Sequence, residues 1–162
     1  MADSARFSQS HGIMGLAVDG DWNAGFSADS INMAKYNHCT ILIIGDASLA
    51  GAAVITLMAG ATDGAETAAM TFTYRYASGD IGSASSDVYG AAATSASLTT
   101  TVASMDSRCT IIEFDAQDLV VAGVSYQYAT LVVSAAGTAG TCDVVAILSE
   151  PRYAEAIMDT AQ

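Results

Sequence analysis

Two histidines, three cysteines and a surplus of carboxylates are the side chains of this 162-residue chain whose types suit chemistry. A hydrolytic nucleophile needs a base within hydrogen-bond reach and a third group to orient that base. None of the spacings that announce such a site occurs: there is no GxSxG elbow, HExxH, Walker loop or GxGxxG. His11 lies in an irregular N-terminal stretch, and His38 stands at the entrance to a strand, where a bond to backbone is the plain expectation. Glu113 and Asp115 share a strand face at i, i+2. Glycoside hydrolysis requires two carboxyls across a cleft, whereas a same-face pair beside a turn reads as a solvated edge. No residue is assigned a catalytic role, and no enzymatic activity is expected.

The nearest approach to a metal site is Asp19-Gly20-Asp21-Trp22-Asn23-Ala24-Gly25, where oxygen ligands fall at alternate positions as in the first half of a calcium loop. Its glycine comes one place late, the twelfth position is Ser30 instead of Glu, and helical signals are missing on both sides. An acidic turn ahead of Trp22 and Phe26 is the simpler account, and whether Asp19, Asp21 and Asn23 bind an ion stays open. Cys39, Cys109 and Cys142 lie in or beside predicted strands without CxxC spacing, so they read as reduced thiols acting as small hydrophobes. No cofactor is implied.

Any such residues must be held by strands. Met70-Thr71-Phe72-Thr73-Tyr74-Arg75-Tyr76 places Met, Phe and two Tyr on one face and Thr, Thr and Arg on the other, the alternation of a half-buried β-strand. Further strands are predicted over 39–44, 52–58, 98–102, 108–115, 126–134 and 142–149. The run 39–44 is apolar throughout and is expected to be buried on both faces. Asp63-Gly64 marks a hairpin turn, residues 78–96 form a long Gly/Ser/Ala loop with room for a short strand, and 115–119 has space for one helical turn. Pro151 ends the sheet because it has no N–H to donate. About eight short strands without crossover helices specify an all-β fold, an antiparallel β-sandwich of jelly-roll type. Its parts are an N-terminal arm (1–30), the sandwich domain (31–153) and a short tail (154–162) that is either helical or extended.

Composition limits the partners. Seventeen acidic residues against one lysine and four arginines give a formal net charge of -12. Nucleic-acid binding draws most of its affinity from cations that neutralise phosphates, so no nucleic-acid partner is expected. Residues 41–61 contain a single charge, Asp46, over a length near the ~20 residues of a spanning helix. Gly45-Asp46 and Ala50-Gly51 punctuate that run, however, and its halves are β-branched. It reads as two strands joined by a loop, with no membrane span. The N-terminus has no apolar stretch of a secretory signal, which fits synthesis in a cytoplasm. Phe7, Ile13, Met14, Leu16, Trp22 and Phe26 give the arm an apolar surface that either packs on its own sandwich or binds a partner, as arms that add a strand to a neighbouring sheet do.

Residues 35–153 resemble a group of small β-sandwich proteins encoded among the head genes of tailed bacteriophages, some of which are capsid decoration or cement proteins. The resemblance rests on KYNHCTILI (35–43), AAVITL (52–57), TFTYRY (71–76), CTIIEFDAQDL (109–119), YATLVVS (128–134) and ILSEPRY (147–153). It implies a chemically inert virion protein on the capsid exterior, bound to the major capsid protein where capsomers meet. It also implies a homo-oligomer, with a trimer favoured. Two alternatives stand beside it: another β-rich virion component, such as a tail tube or head-tail connector subunit, and a carbohydrate-binding sandwich using Trp22 and the tyrosines as a stacking platform.

Overall fold

The computed structural model describes residues 7–47 and 49–152. Its strands are β1 (Gly12–Asp21), β2 (Phe26–Ser27), β3 (Ile31–Asn32), β4 (Tyr36–Gly45), β5 (Val54–Gly60), β6 (Ala68–Met70) and β7 (Phe72–Tyr76). After the long loop come β8 (Ala93–Ser95), β9 (Ser97–Thr99), β10 (Cys109–Asp115), β11 (Val120–Val121), β12 (Val124–Ser125), β13 (Tyr128–Val133) and β14 (Thr141–Pro151). Single helical turns occur at α1 (Phe7–Ser10), α2 (Val102–Met105) and the 3-10 turn Ala116–Leu119. No helix among the described residues is long and apolar enough to cross a membrane.

The expected all-β sandwich is what forms. One sheet has the order β1-β14-β4-β10-β7-β8; the other runs β2-β13-β5-β6, with β3 also paired to β13 and β9 to β5. Every ladder is antiparallel. The chain alternates between layers so that β1-β14-β4-β10 faces β2/β3-β13-β5-β6, the four-on-four order of a jelly roll. Inward residues of both layers make one core. Ile41, Ile43, Ile112, Phe114, Val144 and Leu148 come from the first sheet, Ile55, Leu57, Leu131 and Val133 from the second.

Two local readings need revision. The segment 70–76 is not one strand: Met70 pairs with Leu57 in the second sheet, whereas Thr73 pairs with Glu113 in the first, and the exposed Thr71 lies at the crossing. The run 39–44 is buried on one face only. Cys39, Ile41 and Ile43 point into the core, while Thr40, Leu42 and Ile44 are only half-buried, because no layer of the described structure covers the outer face of β4.

The N-terminal stretch is not a free arm either. β1 runs antiparallel to β14 from Gly12↔Leu148 to Asp21↔Thr141, with two register irregularities, and so forms part of the sandwich. Leu16 and Trp22, for which packing on the sandwich and binding to a partner were the two readings, belong to the domain's own core, where Trp22 is 0% exposed. Met14 and Phe26 are partly buried against it. Of the six arm residues, only Phe7 and Ile13 are exposed, at 53% and 59%. The buried indole also removes Trp22 from any sugar-stacking platform. The tail at 154–162 lies outside the described residues.

Full burial makes Trp22 a test of this arrangement. Trp22→Ala is expected to destabilise the domain by about 3–5 kcal/mol, and Ile13→Ala by under ~1 kcal/mol; urea unfolding followed by circular dichroism measures both. Deleting residues 1–27 removes an entire sheet strand together with Trp22. The product should lack a cooperative unfolding transition; a folded truncated protein would mean that β1 is dispensable.

Candidate functional site

The histidine and the carboxylates singled out in the sequence come together on the outer face of the first sheet. Cross-strand pairing aligns Asp115 with His38, and Glu113 with Thr40. His38 Nδ1 lies 2.7 Å from Asp115 Oδ1, and its Nε2 lies 3.8 Å from Glu113 Oε1 and 3.4 Å from Thr40 Oγ1. The expected bond from His38 to backbone is therefore replaced by one to a carboxylate. Nor is β10 a solvated edge, since it is paired on both sides, to β4 and β7.

Asp115, His38 and Thr40 follow the carboxylate-imidazole-hydroxyl sequence of an acyl-transfer triad, so their surroundings decide what they can do. A reacting carbonyl needs backbone N–H donors directed at its developing oxyanion. Here β4 lies between β14 and β10, and its N–H groups are committed to the two ladders. The cluster is spread on a flat sheet without a nearby oxyanion hole, which suits a cross-strand polar clasp. Next to it, beyond Asp115, an open polar cleft of about 550 Å³ is lined in part by Gln117, Tyr126, Glu150 and Arg152. His38 is not among the residues lining it.

The acidic turn after β1 closes on itself. Asp21 Oδ1 accepts hydrogen bonds from the N–H groups of Asn23 and Ala24, and the Gly25 N–H donates to the Asp21 carbonyl. Gly25 has φ +74°, and a Cβ there would lie 2.7 Å from the Val133 carbonyl oxygen, so glycine is required. Asp19 donates its N–H to Asp143 Oδ1 and takes no part in that turn. Among the described residues, no three His, Cys, Asp or Glu side chains converge as a metal ion would need.

All three cysteines are free, with Cys39 and Cys142 buried and Cys109 half-buried. Burial pushes the Cys39 thiol up from its ordinary value and, with a smaller contribution from neighbouring Asp143, the Cys142 thiol up to about 12. A thiol that stays protonated is a poor nucleophile. The neighbouring Cys109, followed by burial, pushes the Tyr89 phenol up to about 12; the long 78–92 loop is tied to the sheet by the Ala77–Tyr89 bridge and by the Gly90 N–H donating to the Tyr76 carbonyl.

The geometry as a whole defines a jelly-roll sandwich whose notable features are faces and edges. No known protein family matches the sequence, and no curated protein does. A similar solved structure is that of the SPBc2 prophage-derived protein YomS, with a TM-score of 0.52 at 12% identity, covering 85% of this chain and 91% of that one. At that identity the likeness is one of fold. Sequence reading missed the His38-Asp115 contact, because only the β4-β10 register places the two opposite each other.

The buried thiols give a pH-dependent expectation. The Cys142 value is raised above its ordinary 9.0 in the folded state, so its contribution to stability is complete below pH 9 and is lost as pH rises towards about 12, where the unfolded chain releases the proton first. Native protein at pH 8 should leave Cys39 and Cys142 unlabelled by a thiol reagent until denaturant is added. Rapid labelling of either would show that the core opens.

Proposed function

We propose that this chain is a structural protein of a tailed-bacteriophage virion that decorates the outer surface of the assembled capsid and ties neighbouring capsomers together. The observation that carries the reading is the jelly-roll fold that it shares, over most of both chains, with a prophage-derived protein. The sequence resemblance to phage head proteins points the same way. Binding, without chemistry, is the proposed activity, and the major capsid protein is the proposed partner.

Physical features agree with a position on the outside of a shell. A formal charge of -12 disfavours contact with packaged DNA and keeps the free protein soluble before assembly. Copies repeated on a lattice add modest contacts into firm attachment through avidity. A sandwich whose first and last described strands, β1 and β14, pair with each other in one sheet also resists being pulled open.

Mass spectrometry of purified particles is expected to find the chain in hundreds of copies per virion, and electron microscopy should place it on the capsid exterior. Particles lacking it should release their DNA at lower temperature or after milder chelator or osmotic stress. A copy number of a few to a few dozen would assign it to the tail or head-tail connector instead. Absence from the particle would remove it from the virion altogether.

A further inference from the structure

One end of the sandwich gathers polar side chains that fasten nothing. Asn37 on β4, Gln117 in the 3-10 turn, Ser125 on β12, Tyr126 just after it, Glu150 on β14 and Arg152 just beyond it line the open cleft of about 550 Å³. None of these six side chains makes a hydrogen bond or an ion pair with another described residue. Elsewhere polar side chains are tied to the fold: His38 to Asp115, Arg108 to Asp80, and Ser30 to Thr130. A second cleft of about 260 Å³ shares Ala116, Tyr126 and Arg152 with the first and extends it into a groove.

The walls of this groove are fixed by backbone bonds. The Tyr126 N–H donates to the Leu119 carbonyl at 3.0 Å, and the Arg152 N–H to the Lys35 carbonyl at 2.9 Å. The Asp115 N–H donates to Asp118 Oδ2 at 2.8 Å, which braces the turn that carries Gln117. Glu150 has φ +55°, the left-handed region, although it lies within a strand. At that point the β14-β4 ladder skips the Glu150-Asn37 pair and resumes at Pro151↔Tyr36 in the same register. Both skipped residues line the cleft. A non-glycine residue kept at positive φ is strained, and such residues gather at ligand sites.

We propose that this groove binds a neutral oligosaccharide. Its amide, hydroxyl, carboxylate and guanidinium groups supply donors and acceptors together, which suits sugar hydroxyls that both donate and accept. Tyr126 adds an aromatic ring for the apolar face of a pyranose, in place of the buried Trp22. Ala116 and Val120 are the only aliphatic residues lining the larger cleft, too few for a lipid or another apolar ligand. Arg152 offsets Glu150, and Asp115 is already bonded to His38, so an ion gains little here. The net charge of -12 turns away phosphates and acidic sugars as well. The volume lies within the ~300–1,000 Å³ of small-molecule sites. The groove belongs to the fold and holds its ligand whether or not the chain is found on a capsid.

A glycan array probed with the fluorescently labelled full chain tests this, followed by amide-resolved NMR titration with the strongest neutral hit. At least one set of related neutral oligosaccharides is expected to bind, with a Kd of about 0.1–1 mM. It should move the amide signals of Asn37, Gln117, Tyr126 and Glu150 before any others. Gln117→Ala and Arg152→Ala, both at exposed positions, should each weaken binding about tenfold and leave the melting temperature unchanged. Glu150→Gly separates binding from stability. Glycine accepts φ +55° without steric cost, so this variant should melt no lower than wild type yet bind about tenfold more weakly. Val18→Ser, 80% exposed on β1 and outside the groove, should change neither property. The proposal is overturned by an array without a neutral hit, by binding confined to sialylated or phosphorylated glycans, or by a hit indifferent to Gln117→Ala, Arg152→Ala and Glu150→Gly.

Discussion

The insertion of β14 between β1 and β4 is the interaction on which the sandwich depends. β14 contributes alternate residues to the core from Cys142 to Leu148, and it is paired along nearly its whole length with β4 and β1. Its two neighbours come from the first third of the chain, so the first sheet has no continuous centre until the C-terminal segment arrives. Closing that loop costs entropy that only the completed core offsets. A topology so rich in pairings distant in sequence belongs to the slowly folding class.

The order of strands also explains why the molecule's polar groups are placed as they are. A jelly roll has two layers and one core, and a side chain on an inner strand therefore faces either that core or the outer surface. His38, Glu113 and Asp115 fall outward by strict alternation from Cys39, Ile112 and Phe114, which are buried. Their mutual contact is a consequence of register. On the opposite layer, Thr130 and Ser30 share a buried hydroxyl contact of 2.7 Å, and the Gly64 N–H donates to the Ser30 oxygen, so the Asp63-Gly64 turn is held against β13. Polar residues in this protein mostly fasten one strand or turn to another.

Most of the body was legible because its strands obey simple alternation. Residues 109–115 put Ile112 and Phe114 inward and Ile111, Glu113 and Asp115 outward, the single turn at 116–119 forms, and the Gly64 turn has the positive φ expected of it. The ends of the chain were harder for a physical reason. β1 contains Gly12, Gly15, Gly20 and Asp19, residues disfavoured in strands, and its two irregularities of register shift the inward positions so that no period of two survives. Whether Trp22 packs on its own sandwich or on a partner has no local signature; its N–H donates to the Gly140 carbonyl and its carbonyl accepts from the Ala136 N–H, bonds to a segment more than a hundred residues away that hold it at the core. The cross-strand cluster at His38 could not be read at all, since no local pattern specifies which strands become neighbours.

The two layers differ in what they turn to solvent, and that difference divides the work of the surface. The second sheet turns Val54, Thr56, Met58, Tyr128 and Val132 outward and is partly overlaid by the Gly64 turn, whereas the first carries the aliphatic row Val145-Leu42-Ile111. Many of the acidic side chains lie instead in turns and connections, at Asp46, Asp63, Glu66, Asp80, Asp87, Asp106 and Asp118. Charge in the loops raises solubility and leaves the row Val145-Leu42-Ile111 uninterrupted, while Glu113, Asp115 and Asp143 stand in the rows beside it on the same face. A sandwich can thus carry a strongly negative charge and still keep an aliphatic row across the outer side of one sheet.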